Sequence, residues 1–319
     1  MQIPVDWLLT ASPMVETHTR REFLGQSSDD PQVILSRQRM IEDPEIIQIL
    51  HEVNEWPGSV LISHKSAGHP IHKIAFLADI GMTASDPGIN TLISRIIEHQ
   101  DQAGPFQVLT NIPIRYSGDG KDSWEWGLCD APLLLYALAR FGLVDDPRVQ
   151  KGINLVHGLI RDNGWPCTGA TPYSTFRGPG RKDDPCPFVN LIMLKLLAAV
   201  PELMDTKASH LGVESLLHCW AERETYHPYI FYMGNDFCKL KAPLVWFDIL
   251  HVTHVLSQFS WVKGDPRYEE MRSIIAQKAD SGGKFTPESV WLAWKNWDFG
   301  QKKGPSPWLT FLAHRILQR

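Results

Sequence analysis

Three aspartates of this chain stand where a carboxyl group could act as an acid: Asp130, Asp184 and Asp248. The first two come just before a proline that begins an apolar segment, and the third lies inside the apolar residues 244–250. A carboxylate in apolar surroundings must be paired or must face a polar hole, because desolvation penalises its charge. The same desolvation raises its pKa, as a general acid requires. We therefore predict these three as catalytic residues, with Asp248 the best single candidate; for Asp130 the role of a helix N-cap alone stays open.

Thiol and imidazole groups near the same segments could hold a zinc ion, which takes three or four N, S or O ligands. The predicted ligands are Asp184, Cys186 and His251. They lie at the starts of successive segments, which a ring of helices would bring together. Cys129, Asp130 and Cys167 lie one repeat back, so a thiolate-rich rim is also conceivable. The alternatives are that free cysteines fill the core and that His251 and His254 are satisfied core histidines.

Aromatic and basic residues supply two further kinds of binding group. Tryptophan ring faces could stack on an apolar ligand or stabilise a cation. Basic side chains in the polar loop 173–182 could clamp a phosphate. The predicted binding residues are Trp126, Trp246, Trp308, Arg177, Arg181 and Lys182. The alternatives are that the tryptophans brace helical hairpins and that the loop is merely solvated.

Regularly spaced prolines and Asp-Pro turns predict the helices that position these groups. Prolines that begin apolar segments stand at positions 70, 132, 187, 243 and 307, and Asp-Pro turns at 86, 146 and 265. Within each repeat the first predicted helix is apolar nearly all round, and the second is amphipathic. A helix that is apolar on all sides must be surrounded, whereas an amphipathic helix has a wet face. The pattern predicts an all-α fold, an α/α toroid (barrel) of five to six helical hairpins with an inner and an outer ring.

The toroid has a consequence for binding. Inner helices separated by an antiparallel outer helix run in the same direction, so their N-termini would meet at one mouth of a central hole. Orphan N–H groups and the helix dipole favour an anion there, most simply a phosphate or diphosphate. We predict an N-terminal arm at residues 1–30 and a single toroid domain at residues 31–319.

Composition limits the remaining possibilities. The chain has 319 residues, of which 43% are hydrophobic and 21% charged, with a net charge of −5. No basic stripe indicates nucleic acid, and five scattered cysteines predict no disulfide framework. No apolar run reaches about 18 residues, and no signal-peptide pattern begins the chain. We therefore predict a cytoplasmic protein without a transmembrane segment.

The hairpin period, the closing turn Gly164-Trp165 and the last segment around Trp308 resemble the terpenoid cyclase and protein prenyltransferase superfamily. Its squalene and diterpene cyclases carry Asp-x-Asp-Asp at an inner-helix entrance, where this chain has residues 181–184 without the first Asp. Protein prenyltransferases carry zinc ligands in an Asp-x-Cys pattern there, which residues 184–186 match, and a His one repeat later.

This resemblance implies an enzyme acting on an apolar, isoprenoid-like and possibly diphosphate-bearing substrate in a central cavity, by acid or zinc-assisted chemistry. The alternative is a non-catalytic toroid that binds a lipid or a protein partner.

Overall fold

The computed structural model describes residues 2–170, 173 and 180–319. Thirteen α-helices and two short strands form the regular structure of this part of the chain. In chain order they are α1 (Val5–Leu9), α2 (Pro13–Glu22), α3 (Pro31–Ile41), α4 (Pro44–Asn54), α5 (Pro70–Asp79), α6 (Ile89–Ile97), β1 (Val108–Asn111), β2 (Asp122–Glu125), α7 (Ala131–Leu138), α8 (Pro147–Gly158), α9 (Pro187–Leu197), α10 (Lys207–Ala221), α11 (Ile249–Leu256), α12 (Pro266–Ala276) and α13 (Pro307–Gln318). The predicted helical class is therefore confirmed in broad terms, whereas closure into a toroid stays a prediction.

The chain divides into two compact units. Unit 1 combines Met1–His51 with Asn235–Arg319, and unit 2 is Glu52–Gly234. The predicted N-terminal arm lies in unit 1 and contains α1 and the unexpected α2. In the described part of the chain, no helix combines the length and apolar character needed to cross a bilayer.

Helices of unit 2 differ in burial as the sequence pattern predicts. Every residue of α7 and of α9 is buried. In contrast, α8 buries only a stripe made by Val149, Gly152, Ile153 and Val156. A proline lies in the first turn of α5, α7, α8 and α9, where its missing N–H costs no hydrogen bond. The apolar helices are thus enclosed, and the amphipathic ones keep a wet face.

Helices α5, α7 and α9 run parallel, with α7 packed against both others. Their carboxyl-terminal parts meet at Asp79, which pairs with the fully buried Lys195 at 2.8 Å. The Tyr136 hydroxyl donates to the same carboxylate at 2.7 Å, and the Lys195 ammonium lies 4.8 Å from the centre of the Tyr136 ring. The amino-terminal ends of these three helices meet at the site described below.

Two features of the fold depart from the sequence prediction. Pro243 does not begin a helix, because α11 begins at Ile249, where the Asp248 side chain caps it. A small antiparallel sheet pairs β1 with β2 between α6 and α7, in a register that sets Val108 opposite Glu125. Each strand has only four residues, too few to give a clear alternating pattern.

Candidate metal centre

Three potential metal ligands of unit 2 converge at the start of α7. Donor atoms of His64, Cys129 and Asp130 all lie within 4.8 Å of one another. Cys129 and Asp130 are buried, and the His64 side chain is 29% exposed. Among the residues that the structure describes, no other three His, Cys, Asp or Glu residues are gathered in this way.

Asp130 occupies the N-cap position of α7 without capping it. Its side chain makes no hydrogen bond to the helix backbone. Instead, one carboxylate oxygen lies 2.8 Å from Nδ1 of His64, and the other accepts from the Tyr173 hydroxyl at 3.2 Å. The Cys129 thiol also approaches that second oxygen, at 3.6 Å. The carboxylate therefore faces a cluster of polar side chains and does not cap the helix.

His64 and Asp130 form a close ion pair, with Nδ1 of His64 2.8 Å from a carboxylate oxygen. Nδ1 of His64 is buried and has no other polar partner. An imidazole nitrogen and a carboxylate oxygen are both donors that zinc accepts. Burial acts to lower the pKa of His64, but the charge of Asp130 outweighs it and raises the pKa.

The segment that carries His64 is fixed by the first turn of α5. Nε2 of His72 contacts the backbone oxygen of His64 at 2.9 Å, and Nε2 of His69 contacts that of Ser59 at 2.8 Å. A carbonyl oxygen only accepts, so both imidazoles donate through Nε2. Burial lowers the pKa of His72 to about 3, which keeps its ring neutral. Two neutral histidines thereby hold the third one in place.

The small sheet positions the other side of the site. Leu61, three residues before His64, bonds to β1 through its amide and its carbonyl. Thr110 on β1 donates from its hydroxyl to the carbonyl of Leu61, and its hydroxyl oxygen lies 3.1 Å from that of Tyr173. Burial, with the nearby charge of Asp130, raises the pKa of Tyr173 well above its usual value. Tyr173 therefore acts as a hydrogen-bond donor that orients the carboxylate, as outer groups of metal sites do.

Two further thiols adjoin the three donors, Cys167 and Cys186. The hydrogen bond between them lowers the pKa of Cys167 and raises that of Cys186 well above normal. The nearby charge of His64 also lowers the pKa of Cys167, against the opposing effect of burial. Burial, with the charge of Asp130, raises the pKa of Cys129 well above its ordinary range. A metal would have to displace the proton of Cys129 on binding.

Of the predicted zinc ligands, Asp184 and Cys186 belong to unit 2 and His251 to unit 1. Cys186 lies beside the site at the N-cap of α9, and its thiol makes no capping bond. Asp184 lies in the turn before it and influences the pKa of Cys219, which burial raises to about 12. His251 belongs to unit 1, where its Nδ1 contacts the backbone oxygen of Trp246 at 2.9 Å. His254 is buried on the same helix.

Asp248 also lies in unit 1, at the start of α11. One carboxylate oxygen accepts from the amide of His251 at 2.9 Å, while the other is buried without a hydrogen-bond partner. Burial raises the pKa of this carboxyl to about 7, against the lowering effects of its backbone bonds and of Lys241. Asp248 can therefore carry a proton near neutral pH, in keeping with the predicted acid.

The predicted binding residues are scattered. Trp126 is buried next to the site, and its carbonyl accepts from Ala170 at 2.9 Å. Trp308 is buried in unit 1, where its ring stacks on Phe311, and Trp246 is half-buried there. Arg181 and Lys182 are exposed on unit 2, where the carbonyl of Lys182 accepts from Arg161 at 2.6 Å. Arg177 lies outside the described residues.

Sequence reasoning missed His64, Tyr173 and the supporting His69 and His72. A usable signal was present, since three histidines cluster at 64, 69 and 72 around the proline that begins α5. Their partner Asp130 is distant in sequence, so only the folded chain shows which histidine reaches it.

No known family model matches this chain, and no curated protein matches it either. Its function must therefore be argued from the site itself.

Proposed function

We propose that unit 2 binds a zinc ion through His64, Cys129 and Asp130, and that the protein is a zinc-dependent enzyme. The observation that carries this proposal is the mutual approach of the three donor atoms to within 4.8 Å. One imidazole, one thiolate and one carboxylate form a donor set that suits zinc better than magnesium or calcium, which favour oxygen ligands alone.

The surroundings of the donors support a ligating carboxylate. Nδ1 of His64 has no polar partner other than Asp130, and Tyr173 donates to the other carboxylate oxygen. Outer donors of this kind orient a ligating carboxylate. The same three residue types are the zinc ligands that the resemblance to the protein prenyltransferases implies, although they stand at other positions of this chain.

The number of protein ligands supports a catalytic rather than a structural zinc site. Three protein ligands leave a coordination position open, as in catalytic zinc sites, where the metal acts as a Lewis acid or activates a bound nucleophile. The amino-terminal ends of α5, α7 and α9 meet there, and their partial positive charge favours an anionic group. The resemblance to the protein prenyltransferases implies an apolar body for the substrate. We therefore propose an apolar, isoprenoid-like substrate bearing a diphosphate.

Metal analysis tests the site. We expect about one zinc per wild-type chain after exhaustive dialysis, and a loss of most of it in His64→Ala and Cys129→Ala. Cys219→Ala, which removes a buried thiol of α10, is the matched control and should retain the metal. A wild-type protein without metal, or a Cys129→Ala protein that keeps it, would refute the zinc site.

Turnover tests the chemistry separately. Farnesyl diphosphate is a suitable probe, and we expect the zinc-loaded protein to release diphosphate faster than the metal-free protein and Cys129→Ala do. A protein that holds zinc but leaves a series of prenyl diphosphates untouched would favour the alternative, a non-catalytic module that binds a lipid or a protein partner.

A further inference from the structure

We propose that Cys167 is a switchable fourth ligand of this metal site, which closes the site when its thiol is bound and opens it when the thiol swings away. The proposal rests on the zinc site of His64, Cys129 and Asp130, and it concerns the regulation of that site. Its carrying observation is that two separate sets of backbone contacts hold Cys167 close to Cys129.

The first set is a short stretch of antiparallel pairing. Gly127 pairs with Gly169, the amide of Leu128 donates to the carbonyl of Thr168 at 2.8 Å, and Ala170 donates to Trp126 at 2.9 Å. The pairing ends there, because the amides of Asp130 and Ala131 bond back to the carbonyl of Gly127 as the chain turns into α7. Cys129 and Cys167 thus each lie one residue beyond the bond between Leu128 and Thr168, which makes them near neighbours.

The second set fixes the chain on the other side of Cys167. The Asn190 side chain accepts from the amide of Trp165 and donates to its carbonyl, both at 3.0 Å. The amide of Cys186 donates to that same carbonyl at 2.9 Å. The indole of Trp165 is fully buried and donates to Val156 at 3.0 Å. The turn is therefore held to the start of α9, and the backbone of Cys167 has little freedom to move.

A fixed backbone leaves one main freedom, rotation about the Cα–Cβ bond of Cys167. Its thiol is not within 4.8 Å of all three donors in this structure, and it bonds instead with the Cys186 thiol. The staggered positions of a cysteine side chain are discrete, so the thiol can occupy one well towards Cys186 and another towards Cys129. The first arrangement leaves the site with three ligands, and the second gives it four.

The partial exposure of Cys167 lets substrates and thiol reagents act on the switch. Cys167 is only half-buried, whereas Cys129 and Cys186 are buried. A substrate that enters the site would compete with Cys167 for the fourth position. A thiol reagent would reach Cys167 before the two other thiols. The metal-bound resting state would then be four-coordinate, and displacement of one protein thiolate would precede activity.

Cobalt substitution tests the proposal, because thiolate ligands of Co²⁺ give a charge-transfer absorbance that scales with their number. We expect Cys167→Ala to bind one Co²⁺ with about half the charge-transfer absorbance of the wild type, and Cys167→Ser to behave in the same way. Cys238→Ala, which removes a half-buried thiol of unit 1, should match the wild type. We also expect iodoacetamide to modify Cys167 more slowly after cobalt is added.

The outcomes separate the two proposals. An unchanged absorbance in both Cys167 variants, with an unchanged alkylation rate of Cys167 in the loaded wild type, overturns the fourth ligand and leaves the zinc site intact. A wild type that binds no Co²⁺ or zinc refutes the zinc site, and the switch falls with it. Circular dichroism of each variant shows whether a loss of binding reflects a loss of fold.

Discussion

Asp130 and Asp248 both stand at the N-cap position of a buried apolar helix, yet their carboxyl groups have opposite surroundings. The carboxylate of Asp130 meets an imidazole, a phenol and a thiol, and it makes no bond to the backbone of α7. Asp248 accepts from the backbone of α11 on one oxygen and leaves the other buried without a partner. The same position at a helix start therefore holds a polar cluster in unit 2 and a nearly isolated acid in unit 1.

The difference shows that the position before a helix does not determine the role of an acidic residue. What decides the role is the set of side chains that other segments bring to it. For Asp130 those come from the loop before α5 and from residue 173. For Asp248 the dominant influence is burial, which raises its pKa to about 7.

The largest expected contrast between the two aspartates is in metal binding. Asp130→Asn should lower zinc affinity by more than about 100-fold, because removal of a ligand costs more than the 10- to 100-fold typical of outer groups. Asp248→Asn should leave the zinc content unchanged. Competition with a chromophoric chelator measures both variants. Equal zinc loss in the two would remove the distinction between the regions.

The second contrast is in the pH dependence of stability. The folded pKa of Asp248, about 7, lies above its unfolded value of 3.8, so the folded state binds the proton more tightly. The contribution of Asp248 to the free energy of unfolding should therefore fall as the pH rises from about 4 to about 7 and then level off. Asp248→Asn has no buried carboxylate to ionise, so it should be more stable than the wild type at pH 8 by about 2–4 kcal/mol.

Urea unfolding at pH 5 and at pH 8 checks this expectation. The difference between variant and wild type should be clearly larger at pH 8 than at pH 5. The same difference at both values would show that Asp248 titrates normally.

The smallest contrast concerns the helix cap. Asp248→Ala should be less stable than Asp248→Asn by about 1 kcal/mol, because alanine cannot accept the bond from the amide of His251. Urea unfolding measures the difference, which should not change with pH because neither variant carries the carboxyl group. Equal stability of the two variants would mean that the capping bond contributes little.

The helices were largely predictable because their signals are local. Proline in the first turn marks α3, α4, α5, α8 and α9, and the apolar character of α7 and α9 indicates their burial. The short strands were not predictable, because four residues carry too little pattern. The start of α11 was placed too early because Pro243 resembles the helix-starting prolines, whereas the capping side chain of Asp248 sets the actual boundary.

The site was predictable only in part. Asp130 was a candidate acid, and a rim containing Cys129 and Cys167 was conceivable from their spacing. The pairing of Asp130 with His64 depends on contacts of Leu61 with β1 and of His72 with the His64 backbone. Such contacts between distant segments leave no local trace in the sequence.

The ion pair between Asp79 and Lys195 bears on the site from its far side. It lies towards the carboxyl-terminal ends of α5 and α9, and Tyr136 of α7 shares its carboxylate. One turn of an α-helix rises about 5.4 Å, more than the separation of the donor atoms at the opposite ends. The ion pair and the Tyr136 hydroxyl therefore fix the axial alignment of three neighbouring helices. A shift of one helix by one turn would separate the donor atoms of the metal site without altering any of its residues.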